Sequence, residues 1–215
     1  MNVPLFIYFI GVAFLASLTT AFRRDTSMYL RWFTPFLLIT CIVEIVAAYM
    51  QAHTIPNLPL YNLFSILVFS FYFYVLYQVI LSRKAKRIVF HISWIYVSLT
   101  LINIFFIQRI TVFHSMSFSL GCLLIAAICV YYFLELFQMP RSVNLIRQPA
   151  FWICSGLLFF YSCSFPVIAF ANFLVQLPPV ILRSLGFVVY LLNVFLYSSF
   201  TIAFLCQLRI RKSTS

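Results

Sequence analysis

Apolar residues occupy this chain in seven runs of near membrane-spanning length, and the polar residues that interrupt them gather in short connections. A helix needs about 20 residues to cross a hydrocarbon core of about 30 Å. The pattern predicts helices over 4–22, 32–50, 60–81, 88–107, 116–137, 151–175 and 184–206. The expected fold class is therefore all-α: one domain over residues 1–215, a polytopic seven-transmembrane-helix bundle. Proline placement agrees with these boundaries. Pro56, Pro59, Pro140, Pro149, Pro178 and Pro179 mark connections or helix starts. Pro4 and Pro35 fall in the expected first turns of helices 1 and 2, where a missing N–H costs little. Pro166 lies mid-span and predicts a kink in helix 6.

Charge adds an orientation. Arg23, Arg24 and Arg31 flank the first connection, and Arg83, Lys84, Lys86 and Arg87 fill the third. Arg141 and Arg147 sit in the fifth, and Arg209, Arg211 and Lys212 form the tail. Arg109 and Arg183 fall on the other side, so 12 of the 14 basic residues share one face of the membrane. Short connections are where the positive-inside bias operates, and it predicts an outer N-terminus and a cytoplasmic C-terminus. The first run lacks a positively charged leader segment, so it reads as a retained helix and not a signal peptide. Trp32, Trp94 and Trp152 fall near the expected inner ends of helices 2, 4 and 6, as an interfacial aromatic belt requires.

The composition removes whole function classes. Charged residues make up 8% of the chain and hydrophobic ones 65%, against about 25% charged in an ordinary soluble domain. No length remains for a soluble domain. The net charge of +11 is membrane-flanking, so it does not point to nucleic acid. Cys41, Cys122, Cys129, Cys154, Cys163 and Cys206 all lie inside apolar runs and read as small buried hydrophobes. No Lys occurs within a span, and no HExxH, GxSxG, Walker or GxxxG pattern is present. No cofactor or metal is expected. His53 and His114, in outer connections with no nearby carboxylate, make a poor ligand set.

Ionisable and polar groups inside the spans are the best pointers to a site, because each is costly in hydrocarbon. Glu44 lies on one face of helix 2 with Thr40 and Gln51, in the expected outer half. Three other helices carry polar stripes at helical spacing: Asn62, Ser65, Phe69 and Tyr72; Ser93, Tyr96, Thr100 and Asn103; Tyr190, Asn193, Tyr197 and Thr201. Tyr161 and Asn172 add to helix 6. If these faces converge, they build a polar, aromatic-lined cavity opening outward. The expected ligand-binding set is Glu44, Asn62, Ser65, Tyr96, Asn103, Tyr161, Asn172, Tyr190 and Asn193. The same groups could instead serve as interhelical hydrogen bonds worth about 0.6 kcal/mol each. Glu135 is expected to form an interfacial ion pair with Arg141 or Arg147, and His91 to lie at the interface. Helices 1–3 and 5–7 share orientation, a 3+1+3 layout also seen in transporters built from parallel repeats.

The stretches LYNLFSILVFSFYFYVLY (60–77) and PAFWICSGLLFFY (149–161) look like segments of small, uncharacterised seven-helix proteins from bacteria. The layout resembles the seven-helix sensory modules of bacterial histidine kinases. That resemblance implies a bacterial inner (plasma) membrane protein with no assigned activity. With no kinase domain in the chain, a sensor of this kind would signal through a separate cytosolic or membrane partner such as a histidine kinase. The expected function is a non-enzymatic sensor or signalling accessory protein that binds a small molecule or lipid. The alternative is a small-solute or proton-coupled transporter with Glu44 as titrating group. One intramembrane acid without a companion base or metal set is too little for an enzyme.

Overall fold

A computed structural model describes residues 4–22, 26–107, 113–138, 145–170 and 178–212. Among them are seven α-helices and no strands: α1 Leu5–Ala21, α2 Met28–Ala52, α3 Leu58–Val79, α4 Arg83–Ile102, α5 Ser115–Phe137, α6 Pro149–Ala169 and α7 Pro179–Lys212. Six of these are long and apolar enough to cross a membrane, and α1 is a shorter apolar helix of 17 residues. The chain is a multi-pass helical membrane protein.

Element boundaries move where local chemistry outweighs hydropathy. Helix α4 begins at Arg83, so the basic stretch at 83–87 is helical and not a loop. Ser82 supplies the reason: its Oγ accepts from the Ala85 N–H at 3.4 Å and caps the helix. Trp94 therefore lies eleven residues into α4, about 16 Å along its axis, and not near its start. Trp152 does open its helix, and its Nε1–H donates to the Ile146 carbonyl at 2.8 Å. Helix α2 begins at Met28, which places Pro35 in its interior and not in the first turn. Pro166 falls in the last turn of α6 and not mid-span, because that helix ends at Ala169. The part of the expected sixth helix beyond 170 lies outside the described residues. Helix α4 passes into a π-helical turn, Asn103–Ile107.

Six helices form a closed circuit of neighbours: α1 packs on α2, α2 on α3, α3 on α5, α5 on α6, α6 on α7, and α7 back on α1. Helix α4 lies outside this circuit, against α3 and α5. Two glycines admit a neighbouring helix closely. A Cβ built at Gly121 of α5 would stand 2.5 Å from the Phe69 ring of α3, and one at Gly156 of α6 would stand 2.9 Å from the Ser199 Cβ of α7. Cys122, Cys129 and Cys154 are fully buried in the shared core, as their apolar setting suggests.

The turn after α2 is tightly closed. The Thr54 N–H donates to the Gln51 carbonyl at 3.2 Å, and the Ile55 N–H donates to the Met50 carbonyl at 2.8 Å. This is the paired bonding of a Schellman motif, with Thr54 at φ 57° where glycine is usual. A β-branched residue in that region is strained, so the connection 53–57 is held by the bonds around it.

Candidate functional site

A cavity of about 260 Å³ lies inside the helix circuit, walled by α2, α3, α5, α6 and α7. Helix α2 presents Phe36, Thr40 and Glu44 on successive turns of one face. Helix α3 presents Tyr61, Ser65, Val68 and Tyr72, spaced i, i+4, i+7 and i+11. Phe113 and Phe118 close it from the start of α5, Phe160 and Tyr161 from α6, and Asn193 and Tyr197 from α7. Glu44 is eight residues, about 12 Å, from the C-terminal end of α2. The cavity therefore sits toward the bundle end where α2 finishes and α3 and α5 begin. Arg31 and the basic residues at 83–87 occupy the opposite ends of α2 and α4.

The hydrogen bonds around the cavity share a direction. The Tyr61 hydroxyl donates to Glu44 Oε2 at 3.0 Å. The Thr40 hydroxyl donates to the Phe36 carbonyl at 2.9 Å, and the Ser65 hydroxyl donates to the Asn62 carbonyl at 2.7 Å. Asn193 Nδ2 donates to the Val189 carbonyl at 2.9 Å. Such local bonds satisfy donors within the helix itself. They leave lone pairs on the hydroxyl oxygens, on the Asn193 side-chain carbonyl and on the second oxygen of Glu44.

Of the nine expected site residues, the cavity gathers Glu44, Ser65, Tyr161 and Asn193. Asn172 lies outside the described residues, as do Arg23, Arg24, Arg109, Arg141 and Pro140. Four others point elsewhere. Asn62 is buried, and its Oδ1 accepts from the His114 N–H at 3.4 Å, which ties α3 to the start of α5. Asn103 Nδ2 donates to Ser117 Oγ at 2.7 Å and ties the end of α4 to α5. Tyr96 packs against Phe69 and Phe73 with centroids 5.2 and 5.4 Å apart. It is not among the residues that line the cavity. Tyr190 meets Phe6 of α1 at 6.0 Å and stacks on Phe187.

Sequence reasoning missed Tyr61, Phe64, Phe118 and Phe160, and it left Tyr72 and Tyr197 as stripe members only. The Tyr61–Ser65–Val68–Tyr72 face was present in the sequence, but Asn62, one position on, drew the reading to a neighbouring face.

Arg141, one of the expected partners of Glu135, lies outside the described residues, and Glu135 binds backbone N–H groups. Its Oε2 accepts from the Leu81 N–H at 2.9 Å and its Oε1 from the Ser82 N–H at 3.0 Å. A carboxylate from α5 thus sits on the N-terminal approach to α4, where the helix dipole favours negative charge. A second hollow of about 420 Å³ lies between α3 and α4, lined by Tyr74, Tyr77, Phe90 and Trp94, with Lys86 Nζ 5.6 Å from the Tyr77 ring centroid. It holds none of the expected site residues.

No protein-family model matches the chain, and no curated protein or solved structure matches it either.

Proposed function

We propose that the chain is a non-enzymatic, receptor-like membrane protein. It takes a small molecule into the circuit cavity from the outer face and reports the occupancy at its basic, cytoplasmic face to a separate signalling partner. One observation carries this reading: the circuit holds a cavity beside Glu44 toward one end, and its core beyond the cavity is filled. One turn from Phe36 and Tyr197, Phe33 meets Phe200 and Phe204 at 5.1 and 5.6 Å, and all three rings are fully buried. A solute that enters beside Glu44 meets this aromatic plug. Binding that shifts the helices needs no path through it; transport does.

Orientation follows from charge. The basic residues of α2 and α4 lie at the ends away from the cavity, and the positive-inside bias puts those ends in the cytosol. The basic start of α4, docked on Glu135, is the natural surface for a partner such as a histidine kinase. Among the described lining residues Glu44 has no histidine or second acid beside it, too little for paired acid–base chemistry. A second reading, proton-coupled transport with Glu44 titrating, draws on the same carboxylate in the same cavity.

Side-specific labelling separates the two. Ser65→Cys is exposed to a membrane-impermeant thiol reagent in intact cells and in inside-out vesicles, and modification is located by peptide mass mapping. The receptor reading expects modification from the outer face alone. Modification from both faces supports the transporter. Modification from the cytoplasmic face alone overturns the orientation and the receptor reading together.

A further inference from the structure

We propose that the cavity's ligand is a protonated amine with a small apolar body. This rests on the receptor reading above and deepens it. The first argument is the hydrogen-bond inventory. The hydroxyls of Tyr61, Thr40 and Ser65 and one N–H of Asn193 are engaged with protein acceptors, while the second Asn193 N–H and the hydroxyls of Tyr72, Tyr161 and Tyr197 also belong to the lining. The engaged hydroxyls and the second oxygen of Glu44 offer a ligand acceptor lone pairs, and an ammonium group carries up to three N–H donors and no acceptor. An anionic ligand would face the Glu44 carboxylate. The second argument is charge. Glu44 is the one acidic residue among the described lining residues, and no Lys, Arg or His joins it there. In a chain of net charge +11, a hollow whose single ionisable acid stands without a basic neighbour selects for a cation. The third is the wall. Phe64, Phe118 and Phe160 line the same space. Aromatic rings bury an apolar body and also attract a cation near their faces. A volume of about 260 Å³ limits the body to roughly a single ring with a short arm.

Three probes of one size isolate the charge: 2-phenylethylammonium, 2-phenylethanol and phenylacetate. They are titrated calorimetrically into the purified full chain in phosphatidylcholine nanodiscs, with empty nanodiscs as blank, because a zwitterionic lipid does not concentrate the cation. The ammonium is expected to bind at least about tenfold tighter than the alcohol, a difference of about 1.4 kcal/mol. Phenylacetate is expected to bind weakest. Glu44→Gln is expected to lower the ammonium affinity by about tenfold and to leave the alcohol unchanged. Equal affinity for ammonium and alcohol, tighter binding of phenylacetate, or no measurable ammonium binding each overturns the proposal. The wild-type comparison decides this even if Glu44→Gln does not fold. The receptor reading is judged separately by Ser65→Cys modification. Outer-face labelling with no preference for the ammonium rejects the amine and keeps the cavity; absent outer labelling rejects both.

Discussion

At the scale of single residues, Gly121 stands more tightly against its neighbour, Phe69, than any of the other three glycines stands against its own. The Phe69 side chain is fully buried and its ring meets Tyr96, Phe118 and Tyr161 at 5.2, 5.0 and 5.5 Å. It has no room to swing away from an added methyl group. Gly121→Ala should therefore destabilise the fold by about 1–3 kcal/mol, the usual cost of overpacking. Gly11→Ala is the control, since a methyl group added there would meet nothing within 4 Å. Thermal unfolding in detergent checks this: an equal midpoint for the two variants would show that the α3–α5 contact is not tight. The site's legibility follows the same scale. Glu44 was readable because a carboxyl in an apolar run is costly wherever it lies. Asn62 and Asn103 looked equally functional, yet each bonds across a helix seam. Polarity alone does not reveal whether a group faces a hollow or a neighbour. Tyr61 was hidden for the converse reason: an aromatic in an aromatic run carries no contrast, and only its bond to Glu44 distinguishes it.

At the scale of elements, hydropathy located all seven helices, but it set their ends by where charge begins. Charge does not break a helix. The basic start of α4 is helical because Ser82 caps it and Glu135 reaches over from α5 to take two more N–H groups. The Glu135 contacts span 54 and 53 positions, so no local pattern announces them; nearby Arg141 and Arg147 made an ion pair the simpler expectation. Glu135→Ala removes both acceptors. Hydrogen bonds to a charged group contribute about 1.5–3 kcal/mol when buried, and partial exposure reduces that. A local loss of about 1.4 kcal/mol corresponds to tenfold faster opening. Deuterium uptake of the amides at 81 and 82 in nanodiscs should accelerate by about that factor, with α6 and α7 unchanged. Unchanged uptake at 81 and 82 would mean that Ser82 alone holds the start of α4.

At the scale of the whole molecule, the number of crossings turns on α1, the one helix of only 17 residues. At 1.5 Å per residue it is about 26 Å long, a few ångströms short of an average hydrocarbon core. A helix lying along the membrane surface would carry a strongly polar face. Helix α1 carries none. Its buried face runs Ile10, Ala13, Ser17 and Thr20, at i, i+3, i+7 and i+10. Its exposed face runs Leu5, Tyr8, Val12 and Leu15 with the same spacing, each more than half exposed. One face packs along α2 and α7 and the other offers apolar surface to lipid. A small mismatch in length costs only fractions of a kcal/mol per ångström, far less than exposing that apolar stripe to water. Helix α1 should therefore cross, which makes seven crossings and sets the two ends of the chain on opposite sides. An N-terminal peptide tag should react with impermeant biotin reagent on intact cells, while a C-terminal green fluorescent protein should fluoresce in the cytoplasm. Both ends on one side would return α1 to the surface and leave six crossings. The circuit that encloses the cavity would then lose the helix joining α2 to α7.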